Sequence, residues 1–100
     1  MPFGPTREPL RLRLYIAGGT PRSHRAVRVV RRVVQRRLDG RCDLEVIDVY
    51  RSAARARDAR VIGVPMLVRE GPGPEKRLMG ELGERAVADL LEVEELPAAE

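Results

Sequence analysis

Tryptophan is absent from this chain, and Phe3, Tyr15 and Tyr50 are its only aromatic residues, so any core must be aliphatic. A single cysteine, Cys42, excludes an internal disulfide and a cysteine pair for a metal. One histidine, His24, far in sequence from that cysteine, gives no metal-ligand spacing. No apolar run approaches the roughly 20 residues that span a bilayer. The first nine residues hold three prolines and no apolar block, unlike a secretory signal. These absences predict a soluble protein of a reducing compartment, placed in the cytoplasm, with no cofactor.

What is there is enough for one domain. Hydrophobic residues make up 43% of the 100-residue chain and charged residues 34%, too apolar a mixture for a disordered chain. The sequence reads as one unit over 1–100, with 1–9 a loose leader and 96–100 a frayed end. Charge is uneven. Residues 1–60 carry 15 arginines against 6 acids, and residues 61–100 carry 4 bases against 9 acids. A basic front half would attract nucleic acid or an acidic protein surface. The eighteen arginines against one lysine fit equally a solvated set of helix faces.

Periodicity places the elements. Leu10, Leu12, Leu14 and Ile16 alternate strictly over 10–17, a strand pattern that Gly18 and Gly19 end. Thr20-Pro21 then reads as an N-cap and first helical position. Val27, Val30, Val34 and Leu38 fall on one stripe of a helix over 21–38, which Asp39-Gly40 terminates. Valine is a mediocre helix former, so this helix depends on packing. Leu44–Val49 reads as a second, buried strand, and Ser52–Arg60 as a short helix. Val61–Val68 is apolar but interrupted by Gly63 and Pro65, and 70–75 is a Gly/Pro turn. Lys76–Met79 reads as the returning strand of a hairpin, and Glu84–Glu92 as a last helix. The order βαβ, α, ββ, α predicts an α/β, thioredoxin-like domain with a mixed four-stranded sheet.

Chemistry is harder to place. A thioredoxin-like enzyme needs a thiolate at the N-terminus of its first helix, where the helix dipole lowers the thiol pKa. Here Thr20-Pro21-Arg22-Ser23 stands where Cys-x-x-Cys would be, and Cys42 lies beyond the other end of that helix. Thiol–disulfide catalysis is thereby excluded, and no enzymatic activity is expected. Proline in a central strand would remove a ladder hydrogen bond, so Pro65 must sit at a bulge, a strand start or a cis turn, and the thioredoxin-like topology implies the cis-proline that begins the hairpin. Ser23, His24 and Asp48 could be drawn as a triad, but Ser23 and His24 are adjacent on a helix and diverge by about 100°. Arg25, Arg28, Arg32 and Arg36 form a basic stripe suited to phosphates or carboxylates. With so few aromatics to stack bases, a nucleic-acid role for it is disfavoured.

The motifs resemble those of the KaiB clock-protein family. The family's K-L-Y-V-A-G-x-T-P-x-S is matched by R-L-Y-I-A-G-G-T-P-R-S at 13–23, and its L-x-V-I-D-V by Leu44–Val49. Its A-T-P-T-L is similar to Gly63-Val64-Pro65-Met66-Leu67, and its I-I-G-D-L to Leu78-Met79-Gly80-Glu81-Leu82. The resemblance runs over roughly 12–91. It implies a non-enzymatic adaptor that binds KaiC, a hexameric clock ATPase, and helps sequester KaiA, with histidine-kinase sensor modules among its relatives. Carried onto this sequence, the ring-binding positions are Tyr50, Ala54, Arg60 and Val61, and the strand edge that receives KaiA lies near Asp43 and Glu45. Self-association is also implied, because some members switch between a thioredoxin-like state and a differently folded tetramer. The family's last helix carries a V-L-I-G-L-D-L-L run. Here no glycine occurs from Glu84 onward, and Ala86, Val87, Leu90 and Leu91 supply an apolar face. The chain is therefore expected in the thioredoxin-like state, with Val64–Pro65 cis and 84–91 helical. The alternative reading is a basic nucleic-acid-associated domain using the arginine stripe.

Overall fold

In the computed structural model, which describes residues 9–39 and 41–91, the alternating leucines form strand β1 (Leu10–Ile16). Helix α1 (Pro21–Leu38) follows, capped by the Thr20 side chain, with proline in its first turn. Asp39 closes it in the left-handed conformation, at φ 48°. Strand β2 (Cys42–Asp48), helix α2 (Ala53–Asp58), strands β3 (Met66–Gly71) and β4 (Lys76–Met79) and helix α3 (Glu84–Leu91) complete the chain. The expected leader over 1–9 (Pro9 apart), Gly40, Glu92 and the end over 96–100 lie outside the described residues.

The sheet order is β2-β1-β3-β4, with β1 parallel to β2 and antiparallel to β3, and β3 antiparallel to β4. This is the mixed, thioredoxin-like sheet the element order predicts. Alternation along β1 sends Leu12 and Leu14 to one face, where they meet Val30, Leu67 and Val87 beneath α1 and α3. Tyr15 points to the other face and packs with Ile47, Met66 and Val68, against Ala59 and Val61 beyond α2. Burying each leucine contributes about 1.5–3 kcal/mol, so the α1–α3 side is the main source of stability.

Three expectations need correction. Strand β2 begins at Cys42, and it is not a buried strand: it sits at the sheet edge, and only Ile47 is buried. Its apolar run resembled a central parallel strand because both faces carry packed side chains, Cys42 and Leu44 on one and Ile47 on the other, but only β1 pairs with it among the described residues. Helix α2 is shorter than 52–60, because 59–61 form its closing turn. On α1 and α3 the core also takes Ala26, Val33 and Ala88, which widens both apolar faces.

The Val64–Pro65 bond is cis, as is Gly71–Pro72, which the sequence does not announce. Arg69 is another surprise. It is 3% exposed on β3, and its guanidinium donates to the carbonyls of Pro72 (3.1 Å) and Pro74 (3.3 Å). Its Nε finds no partner among the described residues. This arginine holds the hairpin turn from inside.

Candidate functional site

The C-terminal ends of β1 and β2 and the start of β3 converge at one end of the sheet, where the first turn of α1 also lies. In a redox member of this fold two thiols would stand here; this chain has hydroxyls. Thr20 Oγ1 accepts from the Ser23 N–H at 3.1 Å and donates to Ser23 Oγ at 2.9 Å. Ser23 is 2% exposed, and its Oγ also accepts from the Ala17 N–H at 3.0 Å. Both hydroxyls are spent on closing the β1–α1 turn. His24 is exposed on the helix, and Asp48 faces neither residue in any hydrogen bond, so no triad assembles.

Asp48 has a different use. Its Oδ1 accepts from the Gly18 N–H (3.1 Å) and from the Tyr50 N–H (2.9 Å), tying the end of β2 to the turn after β1. Gly18 sits at φ +58°, and a Cβ there would meet the Tyr50 ring at 3.5 Å. Tyr50 itself is 76% exposed. A large aromatic held by its backbone yet turned to solvent is the kind of side chain that anchors interfaces.

From Tyr50 the chain runs through α2 to a second strained point. The Val61 N–H donates to the Ala56 carbonyl and the Arg60 N–H to the Arg57 carbonyl, both at 3.0 Å. This pair of bonds is the Schellman closure of a helix, in which the residue after the cap takes a left-handed conformation and is usually glycine. Here that residue is Arg60, at φ 58°. A side chain in this region costs roughly 1–2 kcal/mol. Arg60 is exposed, while Val61 behind it is half-buried against the second core cluster. Ala54 is exposed on the first turn of α2. The four positions implied for ring binding thus share one continuous segment, 50–61.

Sequence reasoning missed the rest of this surface. Ile62 is 82% exposed and Met79, on β4, 48%. Met79 pairs with Met66 at the start of β3, and its Sδ would lie 2.9 Å from a Cβ placed on Gly63. Tyr50, Ile62 and Met79 are the exposed large hydrophobics among the described residues, and all three flank the same end of the sheet. The signal in the sequence was an isoleucine between Val61 and Gly63 that no alternation pattern claimed.

The implied strand-edge residues lie elsewhere. Asp43 and Glu45 are on β2, whose outer edge pairs with no strand among the described residues. Glu45 is fixed by Arg55, at 2.6 and 2.9 Å, and lies 3.5 Å from Arg13. The Arg55 hydrogen bond holds its carboxyl below the usual glutamate range. Its side chain is therefore occupied, and what the edge offers is backbone. Cys42, at the start of the strand, is half-buried, and burial pushes its thiol up to about 11. A reactive thiol needs the opposite shift.

The basic stripe is partly spent as well. Arg32 reaches Glu84 of α3 at 2.6 Å and Arg36 reaches it at 3.6 Å; all four arginines are exposed, and Arg25 and Arg28 are the two with no ion pair among the described residues. Among the described residues no cluster of His, Cys, Asp or Glu could hold a metal, and no helix is long and apolar enough to cross a membrane.

Comparison with known proteins bears on the family and the fold. A family model described as the KaiB domain matches residues 13–92. The chain is 33% identical over 83 residues to the circadian clock oscillator protein KaiB of Thermostichus vulcanus, covering 83% of this chain and 77% of that protein. It is 31% identical to the KaiB1 protein of Synechocystis over the same length, covering 83% of this chain and 79% of the relative. Among solved structures, the N-terminal domain of Synechococcus elongatus SasA superposes with a TM-score of 0.74 at 25% identity, covering 91% and 87% of the two chains. A mutant thioredoxin of Halobacterium salinarum superposes at 0.73 and 26% identity, covering 88% and 78%.

Proposed function

This chain belongs to the KaiB family, and from that premise we propose that it is a clock-related, non-enzymatic adaptor that docks on a KaiC-type hexameric ATPase. Docking uses the segment from Tyr50 to Val61, with Ala54 and Arg60 at the contact. The single observation that carries this reading is Arg60: a cation held exposed in a backbone conformation that glycine would occupy more cheaply. Strain of this kind persists where function requires the side chain. The apolar neighbours Tyr50 and Ile62 supply the hydrophobic part of an interface whose charged part is Arg60. The outer edge of β2 near Asp43 and Glu45, unpaired among the described residues, is the second contact, where a KaiA-like protein or a histidine-kinase sensor module would add a strand. The hydroxyls of Thr20 and Ser23 replace the thiols of a redox site, which supports a binding role over a catalytic one.

The test is titration calorimetry of the purified protein against the purified KaiC-type ATPase from the same genome. Wild type is expected to bind, and Arg60→Glu to lose binding by several kcal/mol, because like charges are then juxtaposed against an acidic contact. Circular dichroism should be unchanged. Equal affinity of the two proteins, or no binding by either, overturns the reading. The nucleic-acid alternative keeps only the arginines that Glu84 does not engage.

A further inference from the structure

The docking segment is not held by its own helix alone. Helix α2 has six residues, and its Schellman closure satisfies the carbonyls of Ala56 and Arg57. The carbonyls of Ala59 and Arg60, at the strained turn itself, are taken by a residue from a distant strand. Arg77, on β4, donates through Nη2 to the Ala59 oxygen at 2.6 Å and through Nη1 to the Arg60 oxygen at 3.2 Å. The same Nη1 lies 3.7 Å from Met66 Sδ, and Nε donates to Glu75 at 2.7 Å. One guanidinium therefore binds two successive carbonyls on one side and a carboxylate on the other. A planar fork of fixed donors can do this; a lysine, with one point charge on a flexible stem, cannot reproduce it.

We propose that Arg77 is a positioning residue for partner docking: its fork fixes the 59–60 carbonyls, holds Arg60 in the left-handed turn and so presents Arg60 and Ile62 to the partner. Arg77 makes no contact with the partner in this proposal. The inference rests on the reading that 50–61 docks the ATPase, but its structural half stands apart from that reading. The turn at Arg60 has an intrinsic cost, and hydrogen bonds to a charged donor are among the stronger ones available to offset it. Both carbonyls lie where α2 ends, at the exposed side of the molecule, where water would otherwise compete for them.

The experiment uses the full chain and three variants: Arg77→Lys, Arg77→Met and Arg60→Glu. Amide hydrogen exchange is measured residue by residue, and affinity for the purified KaiC-type ATPase is measured in parallel. With Arg77→Lys and Arg77→Met, exchange of amides 60–63 is expected to accelerate by about tenfold or more, with the amides of β1 and α1 unchanged. Affinity should fall by about tenfold, the size of effect that 1.4 kcal/mol produces. Arg77→Lys keeps the charge, so a loss there separates the fork from simple electrostatic attraction. Exchange at 60–63 that stays at the wild-type rate in both variants overturns the proposal. So does exchange that accelerates throughout the chain, since Arg77 would then be a general stabiliser. Accelerated exchange at 60–63 with unchanged affinity also overturns it, provided Arg60→Glu loses binding. If Arg60→Glu binds as tightly as wild type, the docking reading fails instead, and exchange still decides whether Arg77 holds the turn.

Discussion

Arg60 poses the clearest conflict between local preference and use. Its left-handed conformation closes α2, and at that position glycine carries no Cβ penalty. Arg60→Gly should therefore leave the fold intact and even favour it. The relief of roughly 1–2 kcal/mol is partly cancelled by the larger chain entropy of glycine, about 0.5–1 kcal/mol. A net gain between about zero and about 1.5 kcal/mol in urea unfolding is expected, together with loss of ATPase binding. An unfolding midpoint below that of wild type would show that the arginine is there for stability. Ser23 and Thr20 illustrate the reverse case. They occupy the positions of a redox pair, but their hydroxyls complete a buried network that includes the Ala17 amide.

At the scale of elements, the link between α1 and α3 is ionic at its rim and apolar beneath. Glu84, in the first turn of α3, meets Arg32 and Arg36 of α1, and its own position also suits the helix dipole. The Arg32 hydrogen bond lowers the Glu84 pKa from the usual 4.5. A carboxyl whose folded pKa is depressed stabilises the fold above its unfolded pKa, and that contribution disappears as pH falls through the folded value. Glu84→Gln should thus melt below wild type at neutral pH, with the difference shrinking and then vanishing as the pH falls through and below the usual glutamate range. Added salt should also narrow the neutral-pH gap, since the pair is exposed. A gap that is constant with pH would place the effect in packing. These elements were the legible part of the sequence. Alternating leucines, valine doublets and Gly/Pro turns are local signals, and each produced its strand, helix or hairpin. The edge position of β2 came only through the motif likeness that implied a strand edge near Asp43 and Glu45; its residue pattern hid it, because strand order is decided by pairing across the chain and L-E-V-I-D-V carries no mark of its neighbours. Arg69 and Arg77 were illegible for a related reason. One is buried under a turn and the other clamps a loop, yet in the sequence they are two of eighteen arginines. The implied site at Tyr50, Ala54, Arg60 and Val61 came from motif likeness, and nothing in its residue types foretold a left-handed arginine.

For the whole molecule, the sheet is covered unequally, and charge follows that asymmetry. Two helices of 18 and 8 residues bury one face, while a six-residue helix guards the other. On that second face long arginine side chains, Arg13, Arg55 and Arg77, lie around Tyr15 and Val68 together with Glu70 and Glu75. Their stems shield apolar surface while their heads stay in water, as arginine permits. A surface laced with ion pairs in this way is not a continuous positive field, although residues 1–60 carry 15 arginines against 6 acids. The stripe on α1 is likewise interrupted by Glu84. This predicts how binding responds to salt. A protein that neutralises phosphates loses affinity with a log–log slope of about −0.9 per phosphate on duplex DNA, so four free arginines would give a slope near −3.6. With Arg32 and Arg36 engaged, the slope available to the stripe falls to about half of that. Docking centred on Tyr50, Ile62 and one cation should be shallower still, because its apolar part is indifferent to screening. Affinity for the KaiC-type ATPase, followed by anisotropy from about 50 to 300 mM salt, is therefore expected to change by less than about tenfold. Labelled duplex DNA over the same range should bind weakly and lose what it has. A steep slope with DNA, combined with tighter binding to DNA than to the ATPase at physiological salt, would make the arginine stripe the working surface and displace the adaptor reading.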